Sequence, residues 1–257
     1  MIMQWNKLLS RHRLGSDILP GDTTTRTDFQ RDFDRIVFSS AFRRMQDKTQ
    51  VFPLSKIDYV RTRLTHSLEA SSIGRSLGTI VGEQIINRHK LINFEAADFG
   101  SICAAACLAH DIGNPPFGHS GEDAIRHWAS TSEYGSKRVV KLEKNQQEDF
   151  LRFEGNAQGF RIVTRLQNPD NFGGLQLTYA TLAAFTKYPR ESYLGENSSS
   201  GVSQKKQGFV IGDRESFKIV AEKGLVTKKG VPPGLSLSRC GLPYISTKNG
   251  SSFLLFS

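Results

Sequence analysis

The stretch LAHDIGNPPFGHSGEDA, residues 108–124, ends one helix and begins another. An alanine-rich segment of helical character, Phe94–Ile112, leads into it, and Gly113 with the proline pair that follows stops that helix. Ser120 opens the sequence Ser-Gly-Glu-Asp, which matches the capping pattern of a helix N-terminus. A stiff turn between two helices is therefore predicted, and it carries the histidines and carboxylates of the run.

Outside this stretch, apolar residues recur at the spacing of amphipathic helices. The segments with this spacing are 29–45, after a cap at Asp28, and 64–85, 153–166 and 178–185. No convincing alternation of apolar and polar residues, as in a half-buried strand, is present, and there is no internal repeat. We therefore expect an all-α fold.

The adjacent pair His110-Asp111 and an upstream histidine, His66 in RTRLTHSLE, suggest a metal site. Imidazole nitrogens and carboxylate oxygens bind divalent ions, and such an ion can activate water or polarise a phosphoryl group. Three protein ligands leave coordination positions open for water and phosphate oxygens. We expect His66, His110 and Asp111 to hold a divalent ion, Mg, Mn or a similar transition metal, in a hydrolase site.

His119 and Glu122 lie three residues apart, so they share one face of the helix that follows the turn. One interpretation is a relay in which Glu122 orients His119, and His119 moves a proton or positions the attacking water. The alternative makes Glu122 part of a helix cap and His119 an ordinary surface residue. The residues alone leave both interpretations open.

The composition limits the class of protein. The chain has 257 residues, a net charge of +9 and 38% hydrophobic residues, which is enough for a buried core. No apolar run reaches the length of a membrane span, and the N-terminus is too polar and basic for a secretory signal. Three cysteines in no disulfide pattern fit a reducing compartment. We expect a soluble, cytoplasmic protein without membrane contact, whose partners are polyanions, either nucleoside phosphates or nucleic acid.

Several segments, in this order, resemble the deoxyguanosinetriphosphate triphosphohydrolase family of the HD superfamily. They are DKTQVFPL, RTRLTHSLE, LAHDIGNPPFGHSGEDAI, FEGNAQGFRI, GLQLTYATLAAFTKYP and KKQGFV, and the resemblance extends from about Trp5 to Leu225. It implies an HD-domain helical bundle that hydrolyses a deoxynucleoside triphosphate, with dGTP as the default, to the deoxynucleoside and triphosphate. It also implies a divalent metal ion and, in the full-length form, a homo-oligomer.

The resemblance assigns roles to individual residues. The metal ligands it implies are His66, His110 and Asp111, and the catalytic pair is His119 and Glu122. The residues that match substrate-binding motifs are Gln50 and Arg63, at the deoxyribose and phosphates, and Asn156, Lys187, Tyr188 and Lys206, around the nucleotide pocket.

The chain departs from the family pattern at its C-terminal end. The resemblance implies a further metal-binding aspartate in a later acidic, alanine-rich helix, but Lys223–Ser257 contains no acidic residue. We interpret residues 1–222 as the N-terminal part of an HD-type domain that is incomplete at the C-terminus. Residues 223–257 then form an aberrant or disordered tail, as a shifted reading frame would produce. We expect hydrolysis by this chain to be impaired.

Two other functions stay open. The chain could be another HD-type nucleotide phosphohydrolase, such as a phosphomonoesterase, which would release orthophosphate in place of triphosphate. It could also be a non-catalytic remnant that binds nucleotides or single-stranded nucleic acid through its basic surface, with salt-sensitive affinity and no turnover.

Overall fold

The structure is a computed structural model, and it describes residues 4–16, 25–50, 61–193 and 206–224, with the backbone of residues 244–246 and 252–254. Helices dominate these residues. They are α1 (Trp5–Leu8), α2 (Asp28–Val37), α3 (Ser40–Arg43), α4 (Arg63–His89), α5 (Ala96–Ala109), α6 (His119–Thr131), α7 (Glu133–Val139), α8 (Lys144–Leu151), α9 (Gly155–Arg161), α10 (Tyr179–Phe185) and α11 (Arg214–Gly224). The predicted all-α class is confirmed.

Two short strands lie in the segment for which the sequence predicts no helix. Strand β1 (Tyr244–Ser246) pairs antiparallel with β2 (Ser252–Leu254), so that Ile245 stands opposite Phe253. The predicted aberrant tail begins two residues too early, because Lys223 and Gly224 still belong to α11. The other residues of the predicted tail lie outside the described residues.

The predicted helix over residues 29–45 is divided into α2, α3 and a 3₁₀ turn at Arg44–Asp47. Thr27, not Asp28, caps α2: its side chain accepts the N–H of Gln30, and the Gln30 side chain accepts the N–H of Thr27. The break before α3 comes from Ser39, whose hydroxyl accepts the N–H of Phe42 and starts a new helix there.

Helices α4 and α5 form an antiparallel hairpin that positions the candidate site. Glycines recur every four residues along α4 where it faces α5, because α5 approaches too closely for side chains. A Cβ on Gly74 would lie 2.7 Å from the Cys107 sulfur, and one on Gly78 would lie 2.8 Å from the carbonyl oxygen of Phe99. The end of α5, at His110, therefore lies beside the first turn of α4, which carries His66.

A buried ion pair ties the N-terminal segment to α2 and to the start of α10. Arg13 Nη1 lies 2.5 Å from Asp32 Oδ1, and Asp32 is fully buried. The other oxygen of Asp32 accepts the backbone N–H and the hydroxyl of Thr178, the residue that caps α10. Because a buried carboxylate is costly without such partners, this network fixes α10, whose end leads to Lys187 and Tyr188.

Candidate metal centre and catalytic pair

His66, His110 and Asp111 lie together at the end of the α4–α5 hairpin. Their potential ligand atoms all lie within 4.8 Å of one another. The two imidazole rings are 5.2 Å apart between centroids, and His110 Nε2 lies 3.3 Å from Asp111 Oδ1. Two imidazoles and one carboxylate at this spacing form a donor set that suits a divalent transition metal or magnesium. The three residues fit the predicted cofactor.

The surroundings of both histidines suit metal binding. His110 Nδ1 lies 2.7 Å from the carbonyl oxygen of Cys107, so an N–H at that position donates to the backbone and Nε2 is left toward Asp111. Burial, and then the neighbouring His110, lower the pKa of His66. Because only the neutral imidazole binds a metal ion, the lowered pKa favours the ligating form of His66 near neutral pH.

The carboxylate of Asp111 is buried and engaged at both oxygens. Arg63 Nη1 lies 2.8 Å from Oδ2, and Asn114 Nδ2 donates to Oδ1 at 2.6 Å. Asn114 was missed at the sequence level, although its place three residues after Asp111 in the turn allows this local contact. Arg63, which the resemblance places at the substrate, is thus bonded to a predicted metal ligand.

Glycines let the turn after Asp111 lie against α9. A Cβ on Gly113 would lie 2.1 Å from both the carbonyl oxygen of Gly155 and the nitrogen of Gly159. The turn ends at Gly118, whose φ of +56° suits glycine, and α6 begins at His119, one residue before Ser120, near which its start is predicted. A Cβ on Gly118 would lie 2.8 Å from Arg63 Nη2, so the Arg63 guanidinium lies between Asp111 and the start of α6.

His119 and Glu122 form a hydrogen-bonded pair on α6. His119 Nδ1 lies 2.8 Å from Glu122 Oε2, and the other oxygen of Glu122 accepts the N–H of Gly155 at 2.7 Å. The His119 side chain is 80% exposed, whereas that of Glu122 is 3% exposed. Glu122 therefore caps the start of α9, not of its own helix, while it holds the His119 ring toward solvent. Their catalytic role remains a prediction.

A charge network that the sequence did not reveal extends from this pair to the nucleotide-pocket motifs. Arg126 Nη2 lies 3.5 Å from Glu122 Oε2 and 3.9 Å from Glu154 Oε2. The buried Glu154 also accepts a hydrogen bond of 2.6 Å from Asn156 Nδ2 and lies 3.4 Å from Lys206 Nζ. The i,i+4 spacing of Glu122 and Arg126 was the one local signal of this network.

The predicted substrate residues fall into two groups. Gln50 lies beside the start of α4, where its N–H bonds to the carbonyl oxygen of Arg61. In the second group, Lys187 Nζ and Lys206 Nζ lie 5.2 and 6.0 Å from the centroid of the Tyr188 ring. Through Glu154, Asn156 joins this second group. The structure thus places the cationic groups of Lys187 and Lys206 near the ring of Tyr188. Glu154 connects this group to the charge network that begins at Glu122.

Lys48 is a further neighbour of the site that sequence reasoning missed. Its ammonium donates to the carbonyl oxygen of Asn114 at 2.8 Å, and its own carbonyl oxygen accepts the N–H of Arg63 at 2.8 Å. Burial, and then the charges of Arg63 and Arg44, lower the pKa of Lys48. Sixty-six residues separate Lys48 from Asn114, so no local pattern could reveal the contact.

Comparison with known proteins agrees with this geometry. The HD domain family matches residues 63–171, the range that carries all the metal-site and catalytic-pair residues. No helix in the described part of the chain is both long and apolar enough to span a bilayer.

Relatives extend the similarity beyond that range. A deoxyguanosinetriphosphate triphosphohydrolase-like protein of Synechocystis sp. is 57% identical over 227 residues, which cover 86% of this chain and 51% of the relative. Proteins of the same description from Pseudomonas aeruginosa and Listeria monocytogenes are 52% and 44% identical, over 73% and 84% of this chain and 42% and 48% of their own lengths. The chain spans about half the length of these relatives. The chain carries an HD domain over residues 63–171 and, over most of its length, resembles the deoxyguanosinetriphosphate triphosphohydrolase-like proteins.

Proposed function

We propose that this chain carries the metal centre and catalytic pair of a deoxynucleoside triphosphate triphosphohydrolase, with dGTP as the default substrate. The observation that carries the proposal is the close group of His66, His110 and Asp111, with Arg63 reaching from Asp111 to the start of the helix that holds His119 and Glu122. The names of the relatives favour dGTP among the substrates of HD-domain hydrolases.

His66, His110 and Asp111 would hold a divalent ion, which supplies Lewis acidity toward a phosphoryl oxygen when bound. His119 moves a proton at its Nε2, because its Nδ1 is held by Glu122 and its ring is exposed. Glu122 keeps that ring in place from its buried position against α9.

The second group of residues binds the nucleotide. Lys187 and Lys206 neutralise phosphate oxygens, and Tyr188 offers a flat face to the sugar or base. Asn156 contributes amide hydrogen bonds, while Gln50 and Arg63 face the deoxyribose and phosphates from the start of α4. Because Arg63 is already paired with Asp111, we assign it first to holding that carboxylate.

The wider expectations from the resemblance belong to the same proposal. These are assembly into a homo-oligomer, a cytoplasmic location, and a boundary near residue 222 between the HD-type domain and a tail of residues 223–257. We also propose that a protein with the full length of the relatives hydrolyses deoxynucleoside triphosphates to triphosphate.

Product analysis tests the proposed reaction. A form of the protein that has the full length of the relatives is incubated with dGTP and Mn²⁺, and the products are separated by anion-exchange chromatography, with Asp111→Ala as the control for contaminating phosphatases. Deoxyguanosine and triphosphate in equal amounts support the proposal. Orthophosphate as the first product would point to another HD-type phosphohydrolase. Salt-sensitive dGTP binding without any product would point to a binding protein.

A further inference from the structure

Four hydrogen bonds close a ring around the carboxylate of Asp111. The carbonyl oxygen of Lys48 accepts the N–H of Arg63 at 2.8 Å, and Arg63 Nη1 donates to Asp111 Oδ2 at 2.8 Å. Asn114 Nδ2 donates to Asp111 Oδ1 at 2.6 Å, and Lys48 Nζ donates to the carbonyl oxygen of Asn114 at 2.8 Å. Each residue of the ring therefore contacts two others.

The ring connects the two elements that carry the candidate metal ligands. Arg63 begins α4, in which His66 stands one turn further on, whereas Asn114 belongs to the turn that follows His110 and Asp111. Lys48 comes from a third segment and bonds to both. In the part of the chain that the structure describes, the other hydrogen bond between the start of α4 and the segment with the turn is that of Arg63 with Asp111.

The orientation of Asn114 is set by packing as well. A Cβ on Gly155 would lie 2.2 Å from Asn114 Oδ1, so the start of α9 confines the amide oxygen to one side. The amide nitrogen is then directed at Asp111, and the Asn114 backbone carbonyl is directed at Lys48. A donor held in this way limits the rotation of the carboxylate that it bonds.

We propose that Lys48 and Asn114 are positioning residues that fix the Asp111 carboxylate for a divalent ion. The inference rests on the proposed metal centre and goes beyond it. Lys48 acts without binding the ion, because its ammonium group is a donor with no free lone pair. Partners that orient a metal ligand typically change metal affinity by about 10–100-fold when they are removed.

Direct measurement of Mn²⁺ binding tests the proposal independently of turnover. Free Mn²⁺ is followed by electron paramagnetic resonance during titration of the 257-residue chain, and of its Lys48→Met and Asn114→Ala variants. Each variant is expected to raise the Mn²⁺ dissociation constant about 10–100-fold. Lys218→Met, which removes an exposed lysine of α11, is the matched control and should leave Mn²⁺ binding unchanged.

A double variant separates positioning from independent effects. Lys48 acts on Asp111 through Asn114 and Arg63, so the losses in Lys48→Met/Asn114→Ala should be smaller than the sum of the single losses. Lys48→Arg keeps a donor at the same place and should recover part of the affinity. Fully additive losses, with no recovery by Lys48→Arg, would overturn the proposal.

Thermal unfolding without metal distinguishes a folding defect from a positioning effect. Should Lys48→Met lose its cooperative transition, Asn114→Ala carries the test, because it removes the amide donor and leaves the Lys48 stem in place. Asp111→Ala tests the metal centre itself: unchanged Mn²⁺ binding there, or none in the wild type, would overturn the proposed centre. If Asp111→Ala loses Mn²⁺ while Lys48→Met and Asn114→Ala bind it within twofold of the wild type, the positioning role is wrong.

Discussion

Arg63 forms a buried ion pair with Asp111, in which Nη1 and Oδ2 are 2.8 Å apart. A buried charge that loses its partner destabilises a protein by about 3–5 kcal/mol. We expect Arg63→Met to lower the free energy of unfolding by about 3 kcal/mol in the absence of metal. Added Mn²⁺ should restore part of this stability, because a bound cation compensates the Asp111 carboxylate. Urea unfolding with and without Mn²⁺ measures both effects, and a variant as stable as the wild type without metal would contradict them.

Replacing His119 should affect turnover and not the metal site. His119→Ala removes the exposed imidazole that Glu122 holds, so we expect turnover to fall by about 10²–10⁴-fold while Mn²⁺ binding is retained. His127→Ala is the matched control, because His127 is exposed on the same helix. Steady-state kinetics with dGTP, in a form of the protein that is active, gives the comparison. A rate equal to that of the His127 control would remove His119 from the mechanism.

Lys187 is expected to attract the triphosphate. Because Lys187→Ala deletes a cation near Tyr188, substrate affinity should fall and should depend less steeply on salt concentration. Lys137→Ala provides the control, since Lys137 is exposed and pairs with Glu133 on α7. Equilibrium binding of dGTP at several salt concentrations measures the effect. The assignment of Lys187 fails if the salt dependence of its variant matches that of the wild type.

Glu154→Gln distinguishes positioning from simple electrostatics. The substitution removes a negative charge 3.4 Å from Lys206, so electrostatic attraction alone would make a triphosphate bind more tightly. We expect weaker binding, because Lys206 and Asn156 lose the carboxylate that orients them. Calorimetric titration with inorganic triphosphate shows directly whether the affinity rises or falls. Asp170→Asn, at an exposed site, is the control for the change in net charge.

The cysteines of α5 should be unreactive in the folded protein. Burial raises the pKa of Cys103 from 9.0 to about 12, and burial also raises that of Cys107. Because the thiolate is the reactive form, the thiolate fraction of Cys103 at pH 8 should be about a thousandfold below that of an exposed thiol. In a Cys240→Ser variant, labelling by a thiol reagent should be slow until the chain is unfolded. Rapid labelling of the native protein would show that α5 separates from α4.

The sequence predicts the turn and the proximity of His110 to Asp111, because both depend on local features. Gly113 and the two prolines stop α5 within a few residues of the predicted position, and the adjacency of His110 and Asp111 places two candidate ligands together. To join the distant His66 to them, the ends of two predicted helices have to pack together, which the spacing of residues does not specify. The approach of His66 to 5.2 Å from His110, measured between ring centroids, is a tertiary result.

The buried face of α4 could not be read from apolar spacing. Leu68 and Ile73 belong to the predicted apolar pattern, yet they are 43% and 53% exposed. The buried face instead includes Ser71 and the glycines, because the distance of closest approach to α5 decides which side chains fit there. Small residues are thus required where the partner helix comes close, and the apolar spacing of one helix carries no information about that distance.

The supporting residues of the site were missed for a related reason. Lys48 contacts Asn114, and Glu154 contacts Lys206. In both pairs, the two residues are far apart in the sequence. Lys48 lies outside the predicted helices and Glu154 lies at the beginning of one, so that neither local sequence indicates that the charged side chain is covered. The resemblance assigns Lys206 to the nucleotide pocket, but it does not indicate that Glu154 pairs with the Lys206 ammonium group.

The glycine contacts of α4 also set the angular phase of the helix. Each residue of an α-helix turns the chain by about 100°, so one residue inserted between His66 and Gly74 would rotate that imidazole away from His110. An insertion in the connection between α4 and α5, residues 90–95, lies beyond these contacts and would leave the rotation of His66 unchanged. Insertions are therefore tolerated in the connection at residues 90–95 and excluded between His66 and Gly74.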